Sequence, residues 1–299
     1  MMVESLNERF AVPGVASFEA GRGGLTRLAI TCPACVAELY LLGAQVTHWC
    51  PAGGQPVLWV SRHSRFVQGS AIRGGVPICS PWFGAYGRDE GAPLHGFVRL
   101  MEWEVESVAA TDDGGVAAAL KVRFAQTASP VWPELFELRY RVEAGTSLTM
   151  NLETRNLGAR DLEITEALHT YFRVSDVRNV AVHGLEGVEY WDKVTGGPNS
   201  RQGDEPIRFA RETDRCYLDT TADCVLDDPG MGRRIRIAKS GSASTVVWNP
   251  WIEKAAAMPD YGDDEWPGML CIETANALDN AVTIPPGQAH AIEARISVS

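Results

Sequence analysis

The stretches Leu120-Lys121-Val122-Arg123-Phe124, Leu138-Arg139-Tyr140-Arg141-Val142 and Leu148-Thr149-Met150-Asn151-Leu152 alternate apolar and polar residues with a period of two. Successive side chains of an extended chain point to opposite faces, so each stretch reads as a half-buried strand. The same pattern returns in Ile292, Ala294, Ile296 and Val298, separated by Glu293, Arg295 and Ser297. Turn formers punctuate the strands: Asp112-Asp113-Gly114-Gly115, Ala144-Gly145-Thr146, Asn156-Leu157-Gly158 and Pro285-Pro286-Gly287. Convincing amphipathic helices are scarce, and strands do not alternate with long helices as a parallel α/β fold would require. The expectation is an all-β protein, a large antiparallel β-sandwich with residues 1–299 in a single domain. The polar, glycine-rich segment 196–205 reads as a surface loop rather than a boundary.

Composition narrows the partners. The chain has 299 residues, 45% of them hydrophobic, and carries 38 acidic against 27 basic residues, for a net charge of −11. That balance excludes non-specific binding to nucleic acid, whose phosphate backbone is held by clustered cations. The charge is uneven, however: between Arg62 and Arg99 there are five arginines (62, 65, 73, 88 and 99) and two acids, Asp89 and Glu90. A concave site responds to such local donors more than to net charge screened over about 8–10 Å, so a small dianion remains an admissible ligand. Seven scattered cysteines do not make a disulfide framework, and Cys32-Pro33-Ala34-Cys35 lacks the second pair or βαβ context of a metal or redox motif. No run approaches the ~20 apolar residues that span a bilayer, and the first ten residues lack a signal-peptide pattern. A cytoplasmic protein without nucleic-acid or membrane partners is expected, a monomer or at most a weak dimer.

Four segments depart from generic strand and turn. In Ala71-Ile72-Arg73-Gly74-Gly75-Val76-Pro77, the two glycines allow unusual dihedrals beside an arginine; taken alone this is a tight turn with an exposed cation. In Pro93-Leu94-His95-Gly96-Phe97-Val98-Arg99, no neighbouring His, Cys or carboxylate gives metal-ligand spacing. In Leu162 to Phe172, a continuous strand would set His169 on one face with Glu163, Thr165, Ala167 and Tyr171, opposite Leu162, Ile164, Leu168 and Phe172. Imidazole is the side chain that most readily exchanges a proton near neutrality, although a structural histidine fits the pattern equally. The fourth segment runs from Val246-Val247-Trp248-Asn249-Pro250 through acidic residues read as solvated, Asp263, Asp264 and Glu265, to Cys271-Ile272-Glu273-Thr274-Ala275-Asn276. Glu273 interrupts an apolar run, where burial would raise its pKa and suit it to accept a proton.

Taken together and in this order, Arg73-Gly74-Gly75-Val76-Pro77, His95-Gly96-Phe97-Val98-Arg99, His169-Thr170-Tyr171-Phe172, Trp248-Asn249-Pro250 and Glu273-Thr274-Ala275-Asn276 closely resemble the glucose-6-phosphate 1-epimerase (hexose-6-phosphate mutarotase) family of the aldose 1-epimerase superfamily. Tyr190-Trp191-Asp192-Lys193 and Glu212-Thr213-Asp214-Arg215-Cys216-Tyr217 extend the match. The resemblance implies a galactose mutarotase-type sandwich and an isomerase that interconverts the α and β anomers of glucose 6-phosphate. It implies His169 as general acid and Glu273 as general base, with Arg73, His95, Arg99 and Asp214 binding substrate. Because guanidinium forks suit phosphate oxygens, Arg73 and Arg99 are expected to hold the 6-phosphate, with Arg62, Arg65 and Arg88 as its neighbours. One departure is Leu94, where many members place glutamine.

The reaction itself asks for little more. Opening a hemiacetal needs one group to take the C1 hydroxyl proton and another to protonate the ring oxygen, each contributing roughly 10²–10⁴-fold, with no metal or redox cofactor. Two other readings stay in view, a mutarotase for unphosphorylated aldoses and a non-catalytic carbohydrate-binding β-sandwich. A pure binder needs no acid and base pair.

Overall fold

The computed structural model describes residues 2–87, 89–124, 132–197 and 199–299. The strands foreseen from period two are there, as Val116–Phe124, Phe136–Ala144, Leu148–Asn156 and Ala289–Val298, and their burial alternates. They are consecutive neighbours in one eight-stranded antiparallel sheet, completed by Glu104–Ala110 at one edge and by Arg233–Ser240, Cys224–Asp228 and Ala181–His183 at the other. Their inward residues, among them Leu120, Tyr140, Leu152 and Ile292, join one buried core. Arg139, Arg141 and Lys121 stand on the opposite face.

A second eight-stranded sheet runs in the order Ser200–Arg201, Glu189–Asp192, Thr213–Tyr217, Ser244–Asn249, Met269–Asn276, Glu166–Leu168 and Ile78–Cys79, with Tyr171–Arg173 also paired to Met269–Asn276. Val247, Leu270 and Ile272 feed the same core, so the two sheets pack as a sandwich. Every residue of Ser244–Asn249 and Met269–Asn276 is buried. Both faces of these two strands are therefore covered, which is why they read as near-continuous apolar runs. A four-stranded antiparallel sheet within residues 16–51 completes the architecture. Among the described residues, no helix is long and apolar enough to cross a membrane.

The strand drawn through Leu162–Phe172 is not continuous. Leu162–Ile164 pairs with Val282–Ile284 in a separate two-stranded sheet, and Glu166–Leu168 and Tyr171–Arg173 are interrupted at His169 and Thr170. Glu163 is exposed and shares no face with His169. His169 stacks on Tyr171, a residue of the face expected for it, and meets Trp248 edge-on.

Beside this break, the buried Glu166 carboxylate lies 3.2 Å from His290 Nε2 and accepts a hydrogen bond from Asn276 Nδ2 at 3.1 Å. The hydrogen bond to Glu166 raises the His290 pKa, outweighing burial. A histidine raised in the folded state stabilises fully below its unfolded pKa and loses that contribution as pH rises through the folded value. We expect Tm to fall as pH rises past about 6.5, and His290→Gln to flatten that fall in thermal melts.

Candidate active site

Four adjacent strands build the floor of the site by residues two apart. Cross-strand partners run Asp214, Trp248, Cys271 and Tyr171 in one row, and Cys216, Val246 and Glu273 in the next. Because side chains alternate along a strand, both rows face the same way. Over this floor lies a cavity of about 290 Å³, lined by Arg73, Phe83, Leu94, His95, His169, Lys193, Asp214, Val246, Trp248, Lys254, Met258 and Glu273.

His169 Nδ1 and Glu273 Oε1 stand 3.4 Å apart, with the side chains 9% and 1% exposed. Nδ1 and the second carboxylate oxygen, Oε2, are both buried without a hydrogen-bond partner. Buried polar atoms are nearly always satisfied, so two such atoms facing a cavity mark groups kept for a ligand. The imidazole stacks on Tyr171 (ring centroids 4.8 Å, 9° between planes) and meets Trp248 and His95 edge-on. Burial pushes the His169 pKa well down, helped by the charges of Arg99 and Arg73. Burial pushes Glu273 well up, helped by Asp214 and opposed by Lys193 and Arg99.

His95 adopts φ +62° and accepts a hydrogen bond at Nδ1 from the Gly84 N–H, 3.1 Å. Burial, then Arg99, lowers its pKa well below the usual range. The ring is thus neutral with its proton on Nε2, a donor for a ligand hydroxyl. Gly96 follows at φ +72°, where a Cβ would fall 1.9 Å from the Ser80 carbonyl oxygen.

Arg73 is positioned as its glycine neighbours suggested. A Cβ at Gly74, φ +119°, would lie 2.4 Å from Val60 Cα, so only glycine lets the chain pass here. The guanidinium donates from Nε and Nη2 to the Asp260 carboxylate (3.2 and 3.1 Å) and from Nη1 to the Tyr171 hydroxyl (3.2 Å). One hydrogen on each of Nη1 and Nη2 stays available to an anion.

The other arginines fare differently. Arg99 donates to the Leu94 carbonyl at 2.7 Å and is absent from the cavity lining; it acts on His95 and His169 through its charge. Arg62 is bound to Asp264 and Glu265, and neither it nor Arg65 lines the cavity. Arg88 lies outside the described residues. Leu94 does reach the cavity, presenting an apolar side chain that is half exposed.

Of the three acids expected to be solvated, Asp263 and Asp264 are exposed and Glu265 is not. Asp260 orients Arg73, and Glu265, its side chain 8% exposed, accepts hydrogen bonds from Ser61 Oγ and the Arg62 and Gly262 N–H groups. Burial favours the protonated form of Glu265, yet these bonds outweigh it and hold the pKa below its ordinary value.

Two cations that sequence reasoning passed over line the opposite wall. Lys193 Nζ lies 3.5 Å from Asp214 Oδ2. Lys254 Nζ lies 2.9 Å from Glu212 and 4.0 Å from Asp214. Burial raises the Asp214 pKa despite both ammonium groups. Lys254 arrives on the helix Trp251–Ala257, whose start is pinned by the Asn249 side chain: Oδ1 accepts from Trp251 N–H, and Nδ2 donates to the Trp266 and Met269 carbonyls. The Asn249 of the Trp-Asn-Pro motif is thus a structural clamp.

Donor atoms of His169, Cys271 and Glu273 lie within 4.8 Å of one another, a set whose chemistry suits a soft divalent metal. The charges of Arg99, Arg73 and Lys193 act against a cation at this set, and Asp214 acts the other way.

Comparison with known proteins agrees with this geometry. A protein from Cenchrus ciliaris is 37% identical over 262 residues (85% of this chain, 78% of its own length), and one from Escherichia coli (strain K12) is 35% identical over 258 residues (86% and 85%). Both carry the name "Putative glucose-6-phosphate 1-epimerase". Among solved structures, "a putative mutarotase (YeaD) from Salmonella typhimurium" superposes with a TM-score of 0.90 at 30% identity, covering 100% of this chain and 99% of that one. The galactose 1-epimerase of Lactobacillus acidophilus NCFM, 12% identical, shares the fold with a TM-score of 0.72 over 95% and 98% of the two chains. The aldose 1-epimerase family matches residues 27–297, and with that match the two-sheet sandwich and its buried His–Glu cavity take their place: the chain belongs to the aldose 1-epimerase family.

Proposed function

We propose that this chain is a hexose-6-phosphate mutarotase acting on glucose 6-phosphate, with Glu273 as general base and His169 as general acid. The observation that carries the reading is the buried His169–Glu273 pair, each partner with an unsatisfied atom, at a cavity whose wall holds Arg73, Lys193 and Lys254. The Glu273 carboxylate takes the O1 proton as His169 delivers one to the ring oxygen, and the C1–O5 bond opens. After rotation about C1–C2, His169 takes the O5 proton, Glu273 returns one to the aldehyde oxygen, and the ring closes as the other anomer. His95 Nε2 and Asp214 are placed to hold sugar hydroxyls, and Arg73 offers its remaining N–H groups to the phosphate, with Arg99 behind it as a second positive charge. The small number and wide scatter of the cysteines support a reducing, cytoplasmic setting. One core drawn from residues 6 to 296 supports a single domain, and we take the chain to act as a monomer.

Exchange NMR or polarimetry on purified protein tests the reading. Glucose 6-phosphate is expected to anomerise with a much higher kcat/KM than free glucose; equal efficiency on the two would refute the phosphate assignment.

The pH dependence follows from the pair. Burial pushes the carboxyl pKa above and the imidazole pKa below their usual values. The reaction needs the carboxylate and the imidazolium together, a pair that carries one proton across 3.4 Å. A second proton in acid removes the base, and loss of the one proton in alkali removes the acid. We expect a bell-shaped kcat at saturating substrate whose limbs belong to the pair. Glu273→Gln and His169→Ala should each abolish a limb; profiles equally flat in wild type and in His169→Ala would overturn the assignment.

A further inference from the structure

The cavity has two cationic poles. Arg73 is tied through the Tyr171 hydroxyl to one end of the row Tyr171, Cys271, Trp248, Asp214. Lys193 lies at the other end, its backbone N–H donating to the Asp214 carbonyl (2.9 Å) and its ammonium beside the Asp214 carboxylate. Three strand spacings separate the Tyr171 and Asp214 backbones, roughly 14 Å. An aldohexose 6-phosphate cannot present its phosphate to both poles.

The covalent structure of the sugar chooses between them, given the proposed roles of His169 and Glu273. The C6 carbon is two bonds from the ring oxygen but four from O1. With O5 at His169 and O1 at Glu273, the phosphate therefore departs on the His169 side, where the imidazole stacks on Tyr171 and Arg73 waits beyond. C3 lies across the ring from O5, so O2 and O3 extend away from His169, over Trp248 towards Asp214 and Lys193.

We propose that Lys193, held beside Asp214, reads the secondary hydroxyls of the hexose and so sets which sugar configurations are accepted, while the phosphate is held at the Arg73 pole. An ammonium that donates and a carboxylate that accepts together match a pair of neighbouring hydroxyls, and Lys254 lies 4.0 Å from the same Asp214 oxygen. Inverting or deleting a hydroxyl leaves one member of this pair unmatched, which is how a polar site rejects an analogue.

This inference rests on the function proposed above, and wild-type turnover of glucose 6-phosphate tests that reading separately. Lys193→Met is then compared with wild type on glucose 6-phosphate, its 2-deoxy and 3-deoxy analogues, and free glucose, with circular dichroism confirming the fold and Lys193→Arg as the conservative variant. The expected result is a loss of about 10- to 100-fold in kcat/KM on glucose 6-phosphate, mainly in KM. That loss should shrink severalfold on at least one deoxy analogue, Lys193→Arg should recover part of it, and the ratio of phosphorylated to free glucose should stay as in wild type. A Lys193→Met enzyme that loses its preference for the phosphorylated sugar would make Lys193 a phosphate ligand and overturn the proposal. Equal losses on every analogue, or no loss at all, would overturn it as well.

Discussion

Glu273→Gln is expected to lower kcat on glucose 6-phosphate by about 10³-fold while leaving the protein folded. Glutamine has the shape of the carboxyl group but cannot accept the O1 proton. The stability side of this expectation follows from burial: Glu273 is 1% exposed, its pKa is pushed well up, and Oε2 has no partner. Burial thus disfavours the charged carboxylate at this position, and a neutral amide of the same shape does not carry that penalty. Tm should be unchanged or higher, the usual relation where function keeps an unsatisfied group buried. Substrate affinity should change little, so the loss lies in kcat. A variant retaining more than about a tenth of wild-type kcat would remove Glu273 from proton transfer.

Arg73→Met should cost about 10²-fold in kcat/KM on glucose 6-phosphate and little on free glucose, the magnitude of one or two charge-assisted hydrogen bonds at about 1.5–3 kcal/mol each. The variant also strands Asp260, whose carboxylate accepts both hydrogen bonds of the Arg73 edge. A free carboxylate beside the phosphate would add repulsion and inflate the loss. The double variant Arg73→Met/Asp260→Asn separates the two effects: the part of the loss it restores belongs to repulsion, and the remainder to the arginine. Unchanged discrimination between phosphorylated and free glucose in the single variant would move the phosphate away from Arg73.

What could be read from sequence followed from how local each signal is. Val116–Phe124 or Ala289–Val298 alternates because one face meets the core and the other water, a constraint written into neighbouring residues. Glu273 stood out because a charge in a fully covered strand is rare, and His169 because its motif matched. Lys193 entered only as the last residue of Tyr190-Trp191-Asp192-Lys193, with no role attached, and Lys254 carried no mark. Each looks like an ordinary surface charge, and each enters the cavity only because a turn or a helix, pinned by Asn249 in one case, brings it beside Asp214. Glu265 shows the converse: in a run of acids it reads as solvated, and only long-range contact with Ser61 and Arg62 reveals it as buried. The break at His169 was hidden for the same reason, since Thr170 and His169 are as compatible with a strand as with its interruption.

The two registered rows on the sheet floor divide the work of the enzyme by type of element. The carboxylate proposed for proton transfer stands in a fully buried strand, and its imidazole partner at a break in the adjoining strands, whereas Arg73, Leu94, Lys193, Lys254 and Asp260 come from turns, loops and a short helix at the rim. Rigid strands fix geometry, and peripheral segments tolerate change. Substrate range in this scaffold can therefore drift through exchanges of rim segments while the acid–base step is inherited intact. Variants selected for a new sugar should concentrate at the rim and alter KM, leaving the pH limbs of the reaction where they were.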